Sequence, residues 1–144
     1  MVEAFSLRGL GLLADDWSRK PPFADDSGFG AAVAVYRQNM VERYGKLAKE
    51  QGNPENLGAW FKQHRQAIEG QPNLNPFAQA ACVTFLAEYE RDPAALEALG
   101  AINRWPGRSG IPLEDYFTAW EASCSELQAS KNLPLRLREL LLAS

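Results

Sequence analysis

The sequence predicts an all-α protein, a single-domain helical bundle of about five to seven helices. Apolar residues recur at steps of three and four along most of the chain. No stretch alternates with the period of two that a half-buried strand shows. The pairs Asn53-Pro54, Asn75-Pro76 and Asp92-Pro93 are typical helix starts, because a short polar side chain caps the helix and proline suits its first turn. We expect residues 25–144 to form one all-α domain.

The first 24 residues are expected to form a poor helix followed by a loop, either poorly ordered or docked on the domain. Three leucines between positions 10 and 13 are apolar. However, Gly9 and Gly11 each weaken a helix by about 1 kcal/mol relative to alanine. The two prolines at 21 and 22 then end any helix, because proline lacks the backbone N–H and clashes with the preceding turn.

A helix is predicted over 29–50, after the capping pair Asp26-Ser27. Its apolar residues share one side of the helix and therefore predict the buried stripe. They are Phe29, Val33, Tyr36, Met40, Tyr44 and Leu47. Charged residues, Arg37 among them, are assigned to the opposite, solvent-facing side.

The next two helices are predicted over 54–69 and 76–91. The first has an apolar stripe and Gly70 as its C-terminal stop. This stripe consists of Leu57, Trp60, Phe61, His64 and Ile68. The helix over 76–91 is apolar around about half of its circumference, which predicts a central, widely buried helix.

The last third of the chain predicts a short helix from 93 to about 103, a loop over 104–110 and two further helices. The helix over 112–129 has the narrowest apolar stripe of the chain. The segment from Leu133 to Ser144 holds six leucines, two of which point away from the main apolar face. This is more apolar surface than one docking face requires, so we expect part of it to meet a partner.

Charge and hydropathy favour a cytoplasmic protein. The net charge of −3 and the pI of about 5.2 give nucleic acid or an anionic membrane no overall attraction to the chain. No basic region precedes the short apolar stretch near residue 10, so we expect no secretory signal. The longest uncharged stretch, 70–87, contains prolines and asparagines and predicts no membrane span.

Few residues suit catalysis or metal binding. His64 is the single histidine, which excludes metal sites that need two imidazoles, although a general-base role stays open. Cys82 and Cys124 lie on apolar helix faces without a neighbouring base, so we expect inert, buried thiols. No phosphate-binding glycine motif or calcium loop is present. We therefore expect a protein that is not an enzyme and that holds neither cofactor nor metal.

The two halves of the chain differ in charge. Residues 37–65 hold six Lys/Arg against three Asp/Glu, and residues 66–126 hold three against nine. The predicted basic face consists of Arg37, Arg43, Lys46, Lys49, Lys62 and Arg65. The predicted acidic face consists of Glu88, Glu90, Asp92, Glu97, Glu114 and Glu121. Faces of opposite sign favour head-to-tail or heterotypic association, although solvated helix surfaces look the same in sequence.

These observations favour a non-catalytic helical protein-interaction module, such as an adaptor, assembly factor or regulator. Besides the basic face, the predicted contacts are the loop residues Arg104, Trp105 and Arg108, which are types enriched at interfaces. Trp105 alternatively closes over the core as a lid. Leu137 and Leu141 are predicted to face a partner protein or the symmetry mate of a homodimer.

Two alternative functions use other residues. An aromatic pocket would suit a small molecule or a pigment. Its predicted lining is Trp60, Phe61, His64, Tyr116 and Trp120. The basic face would alternatively contact nucleic acid phosphates, which the overall negative charge disfavours.

Overall fold

The computed structural model describes residues 1–52, 56–70, 75–102, 104–107 and 110–142. Across these ranges the chain forms seven α-helices and one 3-10 helix, and no strand. The helices are α1 (Val2–Arg19), α2 (Phe29–Glu50), α3 (Leu57–Gly70), α4 (Asn75–Arg91), the 3-10 helix (Pro93–Leu96), α5 (Glu97–Ala101), α6 (Leu113–Glu126) and α7 (Asn132–Leu142). The predicted all-α class is confirmed.

The predicted positions of the longer helices are confirmed as well. The helix α2 begins and ends at the predicted residues, and the ends of α3, α4 and α6 lie within three residues of the predicted ones. The predicted cap at Asn53-Pro54 lies outside the described residues. No helix in the described part of the chain is both long enough and apolar enough to cross a membrane.

The chain divides into two compact units. Unit 1 contains Met1–Glu55 and Gln66–Ala87, and unit 2 contains Asn56–Arg65 and Glu88–Ser144. Unit 1 therefore runs without a break across residue 24, where the sequence suggested a boundary.

The N-terminal segment of unit 1 differs from its prediction. Instead of a poor helix, α1 is regular over 18 residues and packs on α2 through Ala4, Leu7 and Ala14, which are at most 5% exposed. Tertiary packing offsets the helix weakness of the two glycines, because burial of an amphipathic face contributes more than intrinsic propensity. The predicted chain break at the prolines is confirmed, since α1 ends at Arg19.

The helices α1 and α2 form an antiparallel hairpin with a very short distance between the two backbones near its closed end. A Cβ atom on Gly30 would lie 2.5 Å from the backbone nitrogen of Ser18 and 2.9 Å from the carbonyl oxygen of Ala14. Only glycine leaves this space. At the open end of the hairpin, the Tyr44 hydroxyl donates a hydrogen bond to the Glu3 carboxylate at 3.2 Å.

The core of unit 2 is built from large side chains on α6 and α7. Trp120, Leu133 and Leu137 are at most 2% exposed. The Trp120 indole N–H donates to the Ala98 carbonyl at 2.6 Å, and the Ser123 hydroxyl donates to the Ala101 carbonyl at 3.1 Å. Both carbonyls belong to the short helix α5, and α6 supplies side-chain donors to them; the Ala101 carbonyl also accepts from the backbone N–H of Arg104 at 3.3 Å.

Candidate interaction surfaces

The predicted basic face is divided between the two units. Arg43, Lys46 and Lys49 are exposed on α2 in unit 1, whereas Lys62 and Arg65 are exposed on α3 in unit 2. On α2 the three exposed residues fall within an arc of about 120°, because an α-helix turns by about 100° per residue. Within unit 1, these three residues form the basic surface.

Arg37 does not belong to this surface, and its assignment to the solvent-facing side of α2 is wrong. Its side chain points toward α1, where the guanidinium Nε donates a hydrogen bond to the Leu7 carbonyl at 3.0 Å. A Cβ atom on Gly11 would lie 3.1 Å from that Nε atom, so the glycine leaves room for the guanidinium. Tyr36, predicted to be in the buried stripe, is 56% exposed instead.

The reason for both errors is a rotation of the buried face of α2. The residues that face α1 are Gly30, Arg37 and Tyr44, spaced seven apart. The apolar stripe of the sequence meets this line at Tyr44 and otherwise lies beside it. A small residue and a long polar residue occupy the contact line, and neither one counts as apolar in a periodicity analysis.

The predicted leucine surface of α7 is a core contact. Leu137 is completely buried, and Leu141 is half-buried. A partner cannot reach Leu137 in this conformation, which corrects its assignment to an interface and removes the basis for a homodimer through this face. Leu135, at 44% exposed, is the leucine of α7 that points outward.

The predicted loop site around Trp105 is described only in part. Arg104 is exposed, and Arg108 lies outside the described residues. Trp105 is half-buried, with its ring centroid 5.3 Å from that of Tyr116 in an edge-on arrangement. This packing on α6 resembles the lid alternative more than an exposed anchor.

The residues of the proposed aromatic pocket are also packed within unit 2. Trp60 is 5% exposed, and its ring centroid lies 5.1 Å from that of His64. Trp120 is fully buried and stacks on Phe117, with their centroids 6.1 Å apart. In the parts of the chain that are described, these side chains contribute to the core, and the cleft found in unit 2 is lined by other residues.

That cleft has a volume of about 240 Å³, and most of the residues that line it are polar or charged. It is lined by Glu88, Arg91, Asp92, Asn132, Leu133 and Arg136. The side chain of Glu88 is 7% exposed, and each of its carboxylate oxygens accepts a hydrogen bond from a different arginine. Arg91 lies 3.0 Å away on the same helix, and Arg136 lies 3.4 Å away on α7.

A second pair at the cleft joins the 3-10 helix to α7. One Asp92 oxygen accepts from the backbone N–H of Ala94 at 3.1 Å, and the other accepts from the Asn132 side chain at 3.0 Å. The charged groups of the cleft therefore satisfy one another, since a buried carboxylate is stable only when it is paired. The arrangement connects α7 to the end of α4. The expectation that Glu88 lies on an acidic surface is wrong.

The two cysteines are completely buried, each in a different unit. Burial, together with the nearby Glu3 carboxylate, raises the pKa of the Cys82 thiol to about 11, although the N-terminal ammonium group lowers it in part. Burial also raises the pKa of Cys124. Both groups are therefore held as neutral thiols at physiological pH, which is the opposite of the activation a nucleophilic cysteine needs. No cluster of three or more potential metal ligands occurs among the described residues.

Exposed apolar side chains are grouped on α1, the segment for which the sequence predicts a poor helix. Four large side chains are exposed: Val2 at 80%, Phe5 at 50%, Leu12 at 49% and Leu13 at 40%. At about 100° per residue, all four lie within about 60° of Gly9 around the helix. The buried residues of α1 lie on the opposite side. We call the surface formed by these four residues, Gly9 and Asp16 the outer α1 face.

The outer α1 face could have been found from the sequence. Val2, Phe5, Gly9 and Leu12 follow steps of three and four, as do Ala4, Leu7, Gly11 and Ala14 on the inner side. Two stripes on one helix indicate two contacts. The low helix propensity of Gly9 and Gly11 conceals both stripes in the sequence.

The rest of unit 1 contributes further exposed apolar residues. Val35 is 60% exposed on α2, and Phe23 is 64% exposed in the connection between α1 and α2, where its ring packs edge-on against Phe29 at 6.2 Å. In contrast, the exposed large apolar residues of unit 2 that the structure describes are Leu127 and Leu135. Exposed apolar surface is therefore concentrated in unit 1.

No protein-family model matches the chain, and neither a curated protein nor a solved structure is significantly similar to it.

Proposed function

We propose that the protein is a non-catalytic helical interaction module that binds a protein partner through the outer α1 face. The observation that carries this proposal is the exposure of Val2, Phe5, Leu12 and Leu13 on one side of a helix whose other side is packed on α2. A helix that is apolar on both sides is normally buried on both. We therefore expect a partner protein to bury the outer α1 face.

The energetics favour binding at this face. Complete burial of a large apolar side chain contributes about 1.5 to 3 kcal/mol, and the outer α1 face holds four such side chains. Scattered exposed leucines are ordinary on protein surfaces, but adjacent ones on a single helix face are typical of interaction sites. The helix also needs little reorganisation on binding, because its inner side is already fixed by α2.

Charged residues of the same unit fit a role in partner selection. Arg43, Lys46 and Lys49 are exposed on the side of α2 that faces away from α1, so they attract an acidic partner at long range without lying beside the outer α1 face. The raised pKa of the Cys82 thiol supports a non-catalytic role for this unit, since a neutral thiol is a poor nucleophile. We further propose, from the charge pattern of the sequence, a cytoplasmic adaptor, assembly factor or regulator.

Photo-crosslinking in the native host tests this proposal. A photoreactive phenylalanine analogue replaces Leu12 on the outer α1 face, or Leu135 on α7 as a control of similar exposure, 49% against 44%. We expect a discrete protein adduct from position 12 and none from position 135. The adduct at position 12 should disappear when Phe5→Ser is added. Equal crosslinking at the two positions, or an adduct insensitive to Phe5→Ser, would contradict the proposal.

A further inference from the structure

We propose that the outer α1 face binds the same face of a second copy of this chain, with the two α1 helices antiparallel and crossing at Gly9. This inference rests on the proposed function and names the partner of that surface. Three features of α1 support it: the space at Gly9, the arrangement of apolar residues around it, and the position of the acidic residues.

Gly9 has no role within its own chain that requires a glycine. A Cβ atom there would meet no other atom within 4 Å, whereas Gly11 accommodates Arg37 and Gly30 accommodates the backbone of α1. Glycine in the interior of a helix costs about 1 kcal/mol relative to alanine. The absence of a side chain at the centre of an apolar face is useful when a second helix approaches closely. The Gly30 contact shows that this chain packs helices in that way.

Two of the four apolar residues are placed symmetrically about Gly9. Phe5 lies four residues before it, and Leu13 lies four residues after it. In an antiparallel pair that crosses at Gly9, Phe5 of each copy therefore meets Leu13 of the other. A twofold contact needs such a self-complementary patch, because every contact occurs twice.

The charges select the antiparallel arrangement. A parallel pair would bring Asp16 of one copy next to Asp16 of the other, and the exposed ion pair of each Asp16 with Arg19, at 3.9 Å, offsets that repulsion only in part. An antiparallel pair brings Asp16 near the start of the second α1 helix, where the helix dipole is positive. Glu3 does not oppose this approach, because its carboxylate lies on the inner side and accepts the hydrogen bond from Tyr44.

The size of the face predicts weak association. One face of an 18-residue helix is smaller than the roughly 800 Å² per partner of a standard interface. We therefore expect a reversible dimer with a dissociation constant of roughly tens to hundreds of micromolar. The monomer and the dimer then coexist over an accessible concentration range.

Sedimentation equilibrium of the purified full chain tests the inference. From about 10 μM to about 1 mM, a range that spans the expected constant, the average mass should rise from 16.0 kDa toward twice that value. Leu12→Ser should weaken association at least about tenfold, an effect on the order of one buried apolar contact. The control Leu135→Ser, of similar exposure, should leave it unchanged.

A pair of glycine variants separates association from folding. Gly9→Ala should leave thermal stability equal or higher, since the new methyl group meets open space, and should weaken association about tenfold by holding the two helices apart. The control Gly45→Ala on α2 also meets open space, but Gly45 lies among charged residues such as Glu42, Lys46 and Lys49 and not on the outer α1 face. We therefore expect Gly45→Ala to stabilise the fold without changing association. Because neither substitution disturbs the core, the result does not depend on how well Leu12→Ser folds.

A wild-type chain that stays monomeric at about 1 mM overturns the inference, as does a dimer that Gly9→Ala and Leu12→Ser leave intact. In the crosslinking experiment, an adduct at position 12 with the mass of a different protein, together with a monomeric purified chain, overturns the self-pairing alone. The proposed interaction function then stands. A monomeric chain without any adduct at position 12 overturns both.

Discussion

Units 1 and 2 pack their helices by different means. Half of the buried apolar residues described in unit 1 are alanines, whereas unit 2 buries two alanines among ten such residues and relies on tryptophan, tyrosine and leucine. Small residues let helices approach closely but remove little apolar area from water, and large ones do the reverse. In unit 1, α1 packs through small residues such as Ala4 and Ala14, and its large residues on the outer α1 face stay exposed.

The two units also differ in how much large apolar surface they leave available to a partner. Unit 2 uses its apolar side chains and its charged cleft to hold its own helices together, since Leu137 is buried and Glu88 is paired with two arginines. Unit 1 keeps its small residues inside and presents Phe5 and Leu12 outside. The interaction surface is expected on unit 1, which buries large residues such as Phe85 but leaves those of the outer α1 face exposed.

The largest expected effect concerns the large-residue core of unit 2. Leu137→Ala removes a completely buried side chain, and we expect a loss of about 2 to 5 kcal/mol in the free energy of unfolding. Leu135→Ala, two residues away and 44% exposed, should cost less than about 0.5 kcal/mol. Denaturant unfolding of both variants measures the difference. Similar losses would show that α7 does not pack as described.

A smaller loss is expected from the close backbone approach in unit 1. Gly30→Ala places a methyl group 2.5 Å from the Ser18 backbone nitrogen, so the two helices must separate. We expect a cost of about 1 to 3 kcal/mol, typical of overpacking. Thermal unfolding beside Gly45→Ala, which meets open space, provides the comparison. Equal stability of the two variants would rule out a glycine-dependent contact.

A pH-dependent loss of about 2 kcal/mol is expected from Tyr44. Burial, together with the Glu3 carboxylate, raises the pKa of Tyr44 to about 12, above its usual value of 10.0. A group whose pKa is raised by folding contributes stability that is complete below the unfolded pKa, so this contribution is lost as the pH rises from 10 toward 12. The difference between these two pKa values corresponds to a loss on the order of 2 kcal/mol in the free energy of unfolding between pH 10 and pH 12.

The Tyr44→Phe variant checks this assignment in denaturant titrations over the same pH range. Its stability should fall less steeply with pH than that of the wild type. A remaining slope between about pH 9 and 11 is expected from Cys82, whose pKa is also raised. A variant with the wild-type slope would mean that Tyr44 does not titrate as described.

The smallest effect is expected at the polar contact between α1 and α2. Arg37→Met keeps most of the side-chain stem but removes the hydrogen bond to the Leu7 carbonyl, at a cost of about 1 kcal/mol. Arg43→Met, on the exposed side of the same helix, should change stability by less than about 0.5 kcal/mol. Chemical denaturation distinguishes the two. If Arg43→Met costs as much, the orientation of α2 needs revision.

The sequence by itself determined the all-α class and the positions of the longer helices. Those features depend on local physics: helix caps such as Asp92, which accepts from the Ala94 N–H at 3.1 Å, and the three-to-four spacing of apolar residues on α2 and α6. The pattern also contained both stripes of α1, although the glycines concealed them.

Only the tertiary structure decided which way each stripe faces. The sequence predicts Arg37 at the surface, but in the structure the Leu7 carbonyl of α1 accepts its hydrogen bond and Gly11 leaves it space. The sequence predicts Leu137 at an interface, but in the structure it is buried within unit 2, where α7 packs on α6. The physical reason is that the burial of a side chain depends on the shape and the hydrogen-bonding groups of the element packed against it. That element is distant along the chain, so the local sequence pattern does not contain it.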